Sequence, residues 1–319
     1  MKFALRTICS TDVGFGHLRR SLTLADELKA TGHAPTFWLA GDARGFEAVA
    51  AAGHTAEPAD AALATADRSS IVIVDDYAID GPWLSALRPR VAALALIDDL
   101  CNRPTDVDLV LNSAVDADEL PYHDDARLLL GPRYALLRRS FRKLPPRQTT
   151  PDVRRVLVTL GGADPGALTP AVVATVRRVL PDVAVDVVIG PLFAEGAALD
   201  ALAGDAKVTL HRAPGDLAPL MKAADLAVSG GGQTSYELAA VGLPSLALVL
   251  AENQRRSLQA LAAVPTLVAT DEAGLGDALA QLATDRGRRQ SLTDAGQRLV
   301  DGQGVSRVAE ELLALPRRR

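Results

Sequence analysis

The sequence is poor in cysteine, in aromatic residues and in long apolar runs. Its two cysteines, Cys9 and Cys101, stand far apart with no metal-like spacing. They read as free thiols, which excludes a disulfide framework. Aromatic residues make up 4% of the chain while 48% is apolar, so the cores must be built from Ala, Leu and Val. Small aliphatics of this kind suit helices packed on parallel sheets, whose strands are buried on both faces. No apolar run approaches the ~20 residues of a membrane span. Met1–Ile8 runs straight into a strand pattern and has no secretory character, so a cytoplasmic location is expected. A dominant charge is missing too: the net charge is −5, with both signs interspersed. No basic stripe points to a nucleic-acid partner. The Arg317–Arg319 run reads as a frayed basic end.

What is present is a βαβ rhythm across 319 residues, enough for two domains of ~150. Phe3–Ile8 reads as a strand. His17–Thr31 reads as a helix, with Leu18, Leu22, Ala25 and Leu28 on one face and Gly32 as its stop. Further strands are expected at Thr36–Leu39, Ile71–Val74, Ala93–Ile97 and Leu109–Leu111. The stretch Arg138–Asp152, with three prolines and no periodicity, reads as an interdomain linker. The rhythm restarts with strands at Arg155–Leu160, Val183–Ile189, Val208–Leu210, Leu226–Ser229 and Ser245–Leu250, with helices between them. The fold class is therefore α/β, with two Rossmann-like, doubly wound domains over 1–140 and 153–319. The last helical pattern is a candidate to pack back on the first domain.

Several strand-to-helix junctions carry candidate chemistry. Gly14-Phe15-Gly16-His17 follows the first strand, where glycine lets backbone approach a ligand and a helix N-terminus favours negative charge. The third glycine of a dinucleotide fingerprint would fall at Arg19, so a nicotinamide cofactor is not expected. His17 either caps the helix start or serves a ligand. Gly230-Gly231-Gly232-Gln233-Thr234-Ser235 can wrap a diphosphate with N–H and hydroxyl donors, and it lacks the Lys of a P-loop. Glu237 follows as either a ribose acceptor or a first-turn carboxylate favoured by the helix dipole. Gly161-Gly162-Ala163-Asp164-Pro165-Gly166 is either a second wall of the site or a plain turn. Asp75-Asp76-Tyr77-Ala78-Ile79-Asp80 reads as a polar pocket or as a turn with helix-capping Asp, and Asp98-Asp99 has the same two readings. Asn253 and Gln254 either read hydroxyls or open a helix. Arg6, on the first strand, is counted with the substrate-binding candidates. Adjacent carboxylates have no partner at a metal-site spacing, so no metal and no cofactor is called for.

The glycine loop with Glu237, then Gly242-Leu243-Pro244 and Asn253-Gln254, resembles the donor site of GT-B glycosyltransferases, including the N-acetylglucosaminyl transferase of lipid II synthesis. Val13-Gly-Phe-Gly-His17-Leu-Arg-Arg-Ser-Leu-Thr-Leu-Ala25 is similar to the UDP-diacetamido-trideoxyaltrose hydrolases of pseudaminic acid biosynthesis. Asp75–Asp80, Ile97–Leu100, Leu130–Leu137 and Thr159–Pro165 extend that likeness in the same order. The resemblance implies a GT-B-like fold with two domains facing a central cleft. It implies release of UDP from a UDP-sugar by water, with His17 activating the water and Tyr77 in the sugar pocket. Gly231, Gly232, Gln233, Thr234, Ser235 and Glu237 would hold UDP. Gly14, Gly16, Asp75, Gly161, Gly162, Asn253 and Gln254 would complete the substrate contacts. The rivals are an inverting glycosyltransferase with an alcohol acceptor and a non-catalytic nucleotide-sugar binding protein.

Overall fold

The structure is a computed structural model. It describes all residues except 1, 11–12, 105, 123–124, 165, 194–196, 251 and 317–319, and only the backbone of 197, 198, 200 and 252–254. The chain divides into two compact units. One comprises Met1–Arg138 with Gln303–Arg319, the other Arg139–Gly302.

The first unit holds seven strands: β1 (Lys2–Cys9), β2 (Thr36–Gly41), β3 (Thr55–Pro58), β4 (Ser70–Asp75), β5 (Ala93–Ile97), β6 (Leu109–Asn112) and β7 (Arg127–Leu130). They form one sheet in the order β3-β2-β1-β4-β5-β6-β7, and each pairing is parallel. Its α-helices are α1 (Gly16–Ala30), α2 (Ala43–Ala51), α3 (Ala62–Thr65) and α4 (Gly81–Leu87). The central strands are apolar without alternation because both faces are covered. Phe3, Leu5, Ile71 and Ile73 meet Leu18, Leu24 and Leu28 of α1 on one face. Ala4, Val72 and Val74 meet Leu84 and Leu87 of α4 on the other. Chain order reverses between β1 and β4, since α1 leads outward to β2 and α4 leads the other way to β5.

The second unit repeats the plan. Its strands are β8 (Arg155–Thr159), β9 (Ala184–Ile189), β10 (Val208–Arg212), β11 (Leu226–Gly230), β12 (Ser245–Leu248) and β13 (Val268–Thr270), in the order β10-β9-β8-β11-β12-β13. The helices are α5 (Thr169–Val179), α6 (Ala197–Leu202), α7 (Ala218–Ala223), α8 (Gln233–Val241), α9 (Glu252–Ala263), α10 (Leu275–Thr284) and α11 (Arg286–Leu299). Valines of β8, β9 and α5 form one core with Leu279 and Leu282 of α10. The reversal of chain order here falls between β8 and β11.

Two further features concern the crossings between units. The last helix, α12 (Gly304–Leu313), adds Val305, Val308, Ala309 and Leu312 to the core under α1 in the first unit. The stretch read as a linker is bound along the second unit over most of its length. Arg147 donates to the carbonyls of Met221, at 3.1 Å, and Ala224. Arg289 is fully buried, and its guanidinium donates to the carbonyls of Leu282 and Ala283 and to those of Thr150 and Pro151. The side chains of Gln290 and Gln297 accept from the backbone N–H groups of Thr149 and Arg147, both at 2.9 Å. The prolines and polar residues read as an interdomain linker form a strap whose backbone is bonded by side chains of the second unit. Among the described residues no helix is long and apolar enough to cross a membrane.

Candidate active site

In the first unit the reversal point between β1 and β4 is where open α/β sheets offer a crevice beyond the carboxyl ends of the strands. The chain leaves β1 through a short loop closed by Gly14 N–H donating to the Ser10 carbonyl at 2.8 Å. Gly14 has φ +83°, a left-handed conformation that suits glycine. Gly16 is the first residue of α1, and its Cα faces open space. The cap position, Phe15, offers no side-chain hydrogen bond, so backbone donors of the first turn are left for another partner.

His17 is the second residue of α1 and is 7% exposed. Its Nδ1 lies 2.6 Å from Oδ1 of Asp75, the last residue of β4. Arg20, one helical turn further on, reaches the same carboxylate with Nε on Oδ2 at 2.7 Å and Nη2 on Oδ1 at 2.5 Å. Its third nitrogen, Nη1, donates to Asp99 Oδ2 at 2.7 Å. Tyr77 donates its hydroxyl to that same oxygen at 2.7 Å. The Tyr77 and His17 rings meet edge to face, with centroids 4.4 Å apart.

Electrostatics assign the protons in this cluster. Burial opposes charge on Asp75, but the Arg20 cation and His17 outweigh it and hold the carboxyl well below the usual range. An ionised Asp75 accepts at 2.6 Å, so His17 Nδ1 carries a hydrogen although Arg20 Nη2 also lies 3.2 Å from it, and in the uncharged form of the ring Nε2 is the acceptor nitrogen. None of the described residues engages Nε2. Burial, and then the negative charge of Asp99, push the Tyr77 phenol well above its ordinary value. Tyr77 is therefore a neutral hydroxyl whose proton is committed to Asp99. Arg20 stays charged: burial works against it, and the two carboxylates prevail.

Other carboxylates of the region serve the scaffold. Arg6 and Asp76 form a buried ion pair at 2.8 Å. Strand parity explains their position: Arg6 follows Ala4 and Asp76 follows Val74, both on the α4 face, whereas His17 and Asp75 are on the α1 face. Arg6, counted from sequence with the substrate-binding candidates, is thus paired with Asp76 on the face opposite His17. Asp80 caps α4 through the N–H of Trp83. Asp98 accepts from the N–H groups of Leu100 and Cys101. Arg20 was not singled out from sequence, and Asp99 was named only beside Asp98, as part of a polar pocket or of a capping turn. The i, i+3 spacing of Arg20 from His17 was the available signal; the contact of Arg20 with Asp99 joins residues 79 apart.

At the second unit's reversal point the chemistry is different. Gly232, the cap residue of α8, has φ +93° and ψ −153°, a combination that suits glycine and no other residue, and no side chain caps the helix. A Cβ on Gly230 would run into Leu250. The Oγ atoms of Ser229 and Ser235 are buried without a hydrogen-bond partner. Thr234, Ser235 and Glu237 are all buried on α8, and Gln233 is partly exposed. Gly161, at φ +92°, and Gly162 end β8, with Gly162 tight against Gly190. Asp164 braces the start of α5, accepting from the N–H groups of Leu168 at 3.0 Å and Thr169 at 2.9 Å. The side chains of Asn253 and Gln254 lie outside the described residues.

Two Rossmann-like domains, each a parallel sheet with one reversal of chain order, make this a GT-B fold. Solved structures agree over nearly the whole chain. MurG of Acinetobacter baumannii matches with a TM-score of 0.68 at 13% identity, covering 99% of this chain and 100% of that one. The calicheamicin glycosyltransferase CalG4 matches with a TM-score of 0.65 at 16% identity, covering 98% and 97%. No family model matches the sequence. Among curated proteins, an uncharacterized protein of Methanocaldococcus jannaschii is 27% identical over 280 residues, 80% of this chain. The spore coat polysaccharide biosynthesis protein SpsG of Bacillus subtilis is 29% identical over 197 residues, 58% of this chain. In both cases the match spans 57% of the relative's own length.

Proposed function

We propose that the protein is a nucleotide-sugar hydrolase. A water attacks the anomeric carbon of a UDP-linked diacetamido deoxy sugar. The bond from that carbon to the phosphate oxygen breaks, and UDP leaves with the electron pair. The water's proton passes to His17 Nε2, and the free sugar is released. The observation that carries this reading is the His17–Asp75 pair, an imidazole oriented by an ionised carboxylate with its second nitrogen unengaged. A positioned base of this kind contributes about 10²–10⁴ in rate. In this reading Tyr77 touches the sugar, and the Gly230–Gly232 loop with Thr234 and Ser235 holds the diphosphate. Bare backbone N–H groups stabilise the leaving group's charge. Glu237 accepts from the ribose, and Asn253 and Gln254 complete the substrate contacts. The description of SpsG as a polysaccharide biosynthesis protein agrees with a sugar-nucleotide substrate.

Glycosyltransferases among the fold neighbours favour a second reading, in which His17 deprotonates an alcohol in place of water. One experiment separates the two. The pure protein is incubated with UDP-linked acetamido sugars, without acceptor, in water enriched in heavy oxygen. The hydrolase releases UDP, and the label is absent from it and enters the sugar. Turnover that starts only on addition of an alcohol identifies the transferase. Label in the UDP phosphate means attack at phosphorus and overturns both.

A further inference from the structure

The cluster around His17 contains one cation that neither the proton transfer nor the sugar contact uses, and it joins both carboxylates. Arg20 directs Nε and Nη2 at one carboxylate and Nη1 at another. Those two carboxylates are the partners of His17 and of Tyr77. Side chains from α1, from the end of β4 and from the loops after β4 and β5 thus meet at one guanidinium. Its planar fork suits this task, because it fixes direction as well as charge. We propose that Arg20 is the positioning residue of the site, tying Asp75 to Asp99 so that the Nδ1–H form of His17 and the direction of the Tyr77 hydroxyl are set together. The proposal rests on His17 acting as the base. It adds a consequence for recognition. Because the Tyr77 proton points to Asp99, the phenol presents only oxygen lone pairs to a ligand, and it selects an N–H or O–H on the sugar.

The charges support a shared role. Asp75 is almost wholly buried and Asp99 is partly exposed. Lysine could neutralise either carboxylate, but a single ammonium cannot reproduce three directed N–H bonds to two of them. Arg20→Lys therefore tests direction while keeping the charge.

The test has two independent readouts. Nitrogen NMR of the imidazoles reports the tautomer of His17, one of five histidines, assigned by its loss in His17→Gln. The native protein is expected to show the Nδ1–H form alone, and Arg20→Lys a mixture. With a UDP-sugar, Arg20→Lys is expected to lower kcat by about 10²-fold, the effect of a small misplacement, with KM little changed. Tyr77→Phe should then cost far less in the Arg20→Lys background than in the native one, because the two act as a unit. Added guanidinium should restore part of the turnover of Arg20→Ala. Should the Arg20 variants fail to fold, Asp99→Asn cuts only the outer limb, and Tyr77→Phe is expected to add little on top of it. A native tautomer and kcat in Arg20→Lys, or losses that multiply independently, overturn the proposal. Absence of turnover in the native protein would defeat the hydrolase reading while the tautomer still decides the role of Arg20.

Discussion

The two units place opposite chemistry at the same topological position. Each sheet reverses its chain order next to its first strand, at β1/β4 in one unit and β8/β11 in the other. In the first unit the reversal point gathers His17, Arg20, Asp75, Tyr77 and Asp99 into one bonded group. In the second it gathers Gly161, Gly162 and Gly230–Gly232, with buried hydroxyls and an uncapped helix. Under the proposed function, the side chains of one would hold and move protons and the backbone of the other would receive an anion. A parallel sheet supplies the same topological position to both. Which chemistry such a position carries is decided by a handful of residues after two strands.

Substitutions can break this contrast, and they rank by size. His17→Ala should lose turnover by about 10²–10⁴ while UDP affinity, measured by calorimetry, stays near native; a parallel loss of UDP binding would mean that the units do not divide the work. Gly232→Ala forces an alanine into a backbone shape that glycine tolerates. It should cost about 1–3 kcal/mol of stability and weaken UDP binding, and unchanged melting would show that the loop relaxes freely. The smallest effect belongs to Asp164→Ala. Loss of its two bonds to backbone N–H groups should cost about 0.5–1.5 kcal/mol and leave UDP affinity alone. A clear fall in affinity would return Asp164 to the ligand wall, where the sequence motif first suggested it.

The parts of the fold that could be read from sequence are those under the strongest burial. β5 is a continuous apolar run and β1, β4, β8 and β11 are largely apolar and buried, so their positions are visible without a structure. β3, β7 and β13 were not anticipated. They are short edge strands: Thr55–Pro58 is largely exposed and has no apolar run, and the apolar stretches of Arg127–Leu130 and Val268–Thr270 span only a few residues. The same limit explains Arg6. A strand buried on both faces carries no pattern to say which face a given residue takes, and Arg6 takes the one opposite His17. His17, Tyr77 and the glycine loop could be singled out because glycines and a histidine at strand ends are conspicuous. The role of Arg20 could not, because it depends on carboxylates 55 and 79 residues away. Asp164 and Asp80 show how a carboxylate near a glycine turn can be spent on the start of a helix.

The place of α12 has a consequence for how the chain is made. The first unit's core contains Val305, Val308, Ala309, Leu312 and Leu315, which the ribosome supplies after every residue of the second unit. Domains usually complete in the order of synthesis, as chain emerges at about 5–20 residues per second. Here the order is inverted. The half that begins first stays unsealed for the whole time the other half is translated, with the apolar flank of α1 awaiting its cover. The nascent chain is most vulnerable in its first unit, and a premature stop anywhere before Val305 would leave that unit's core uncovered.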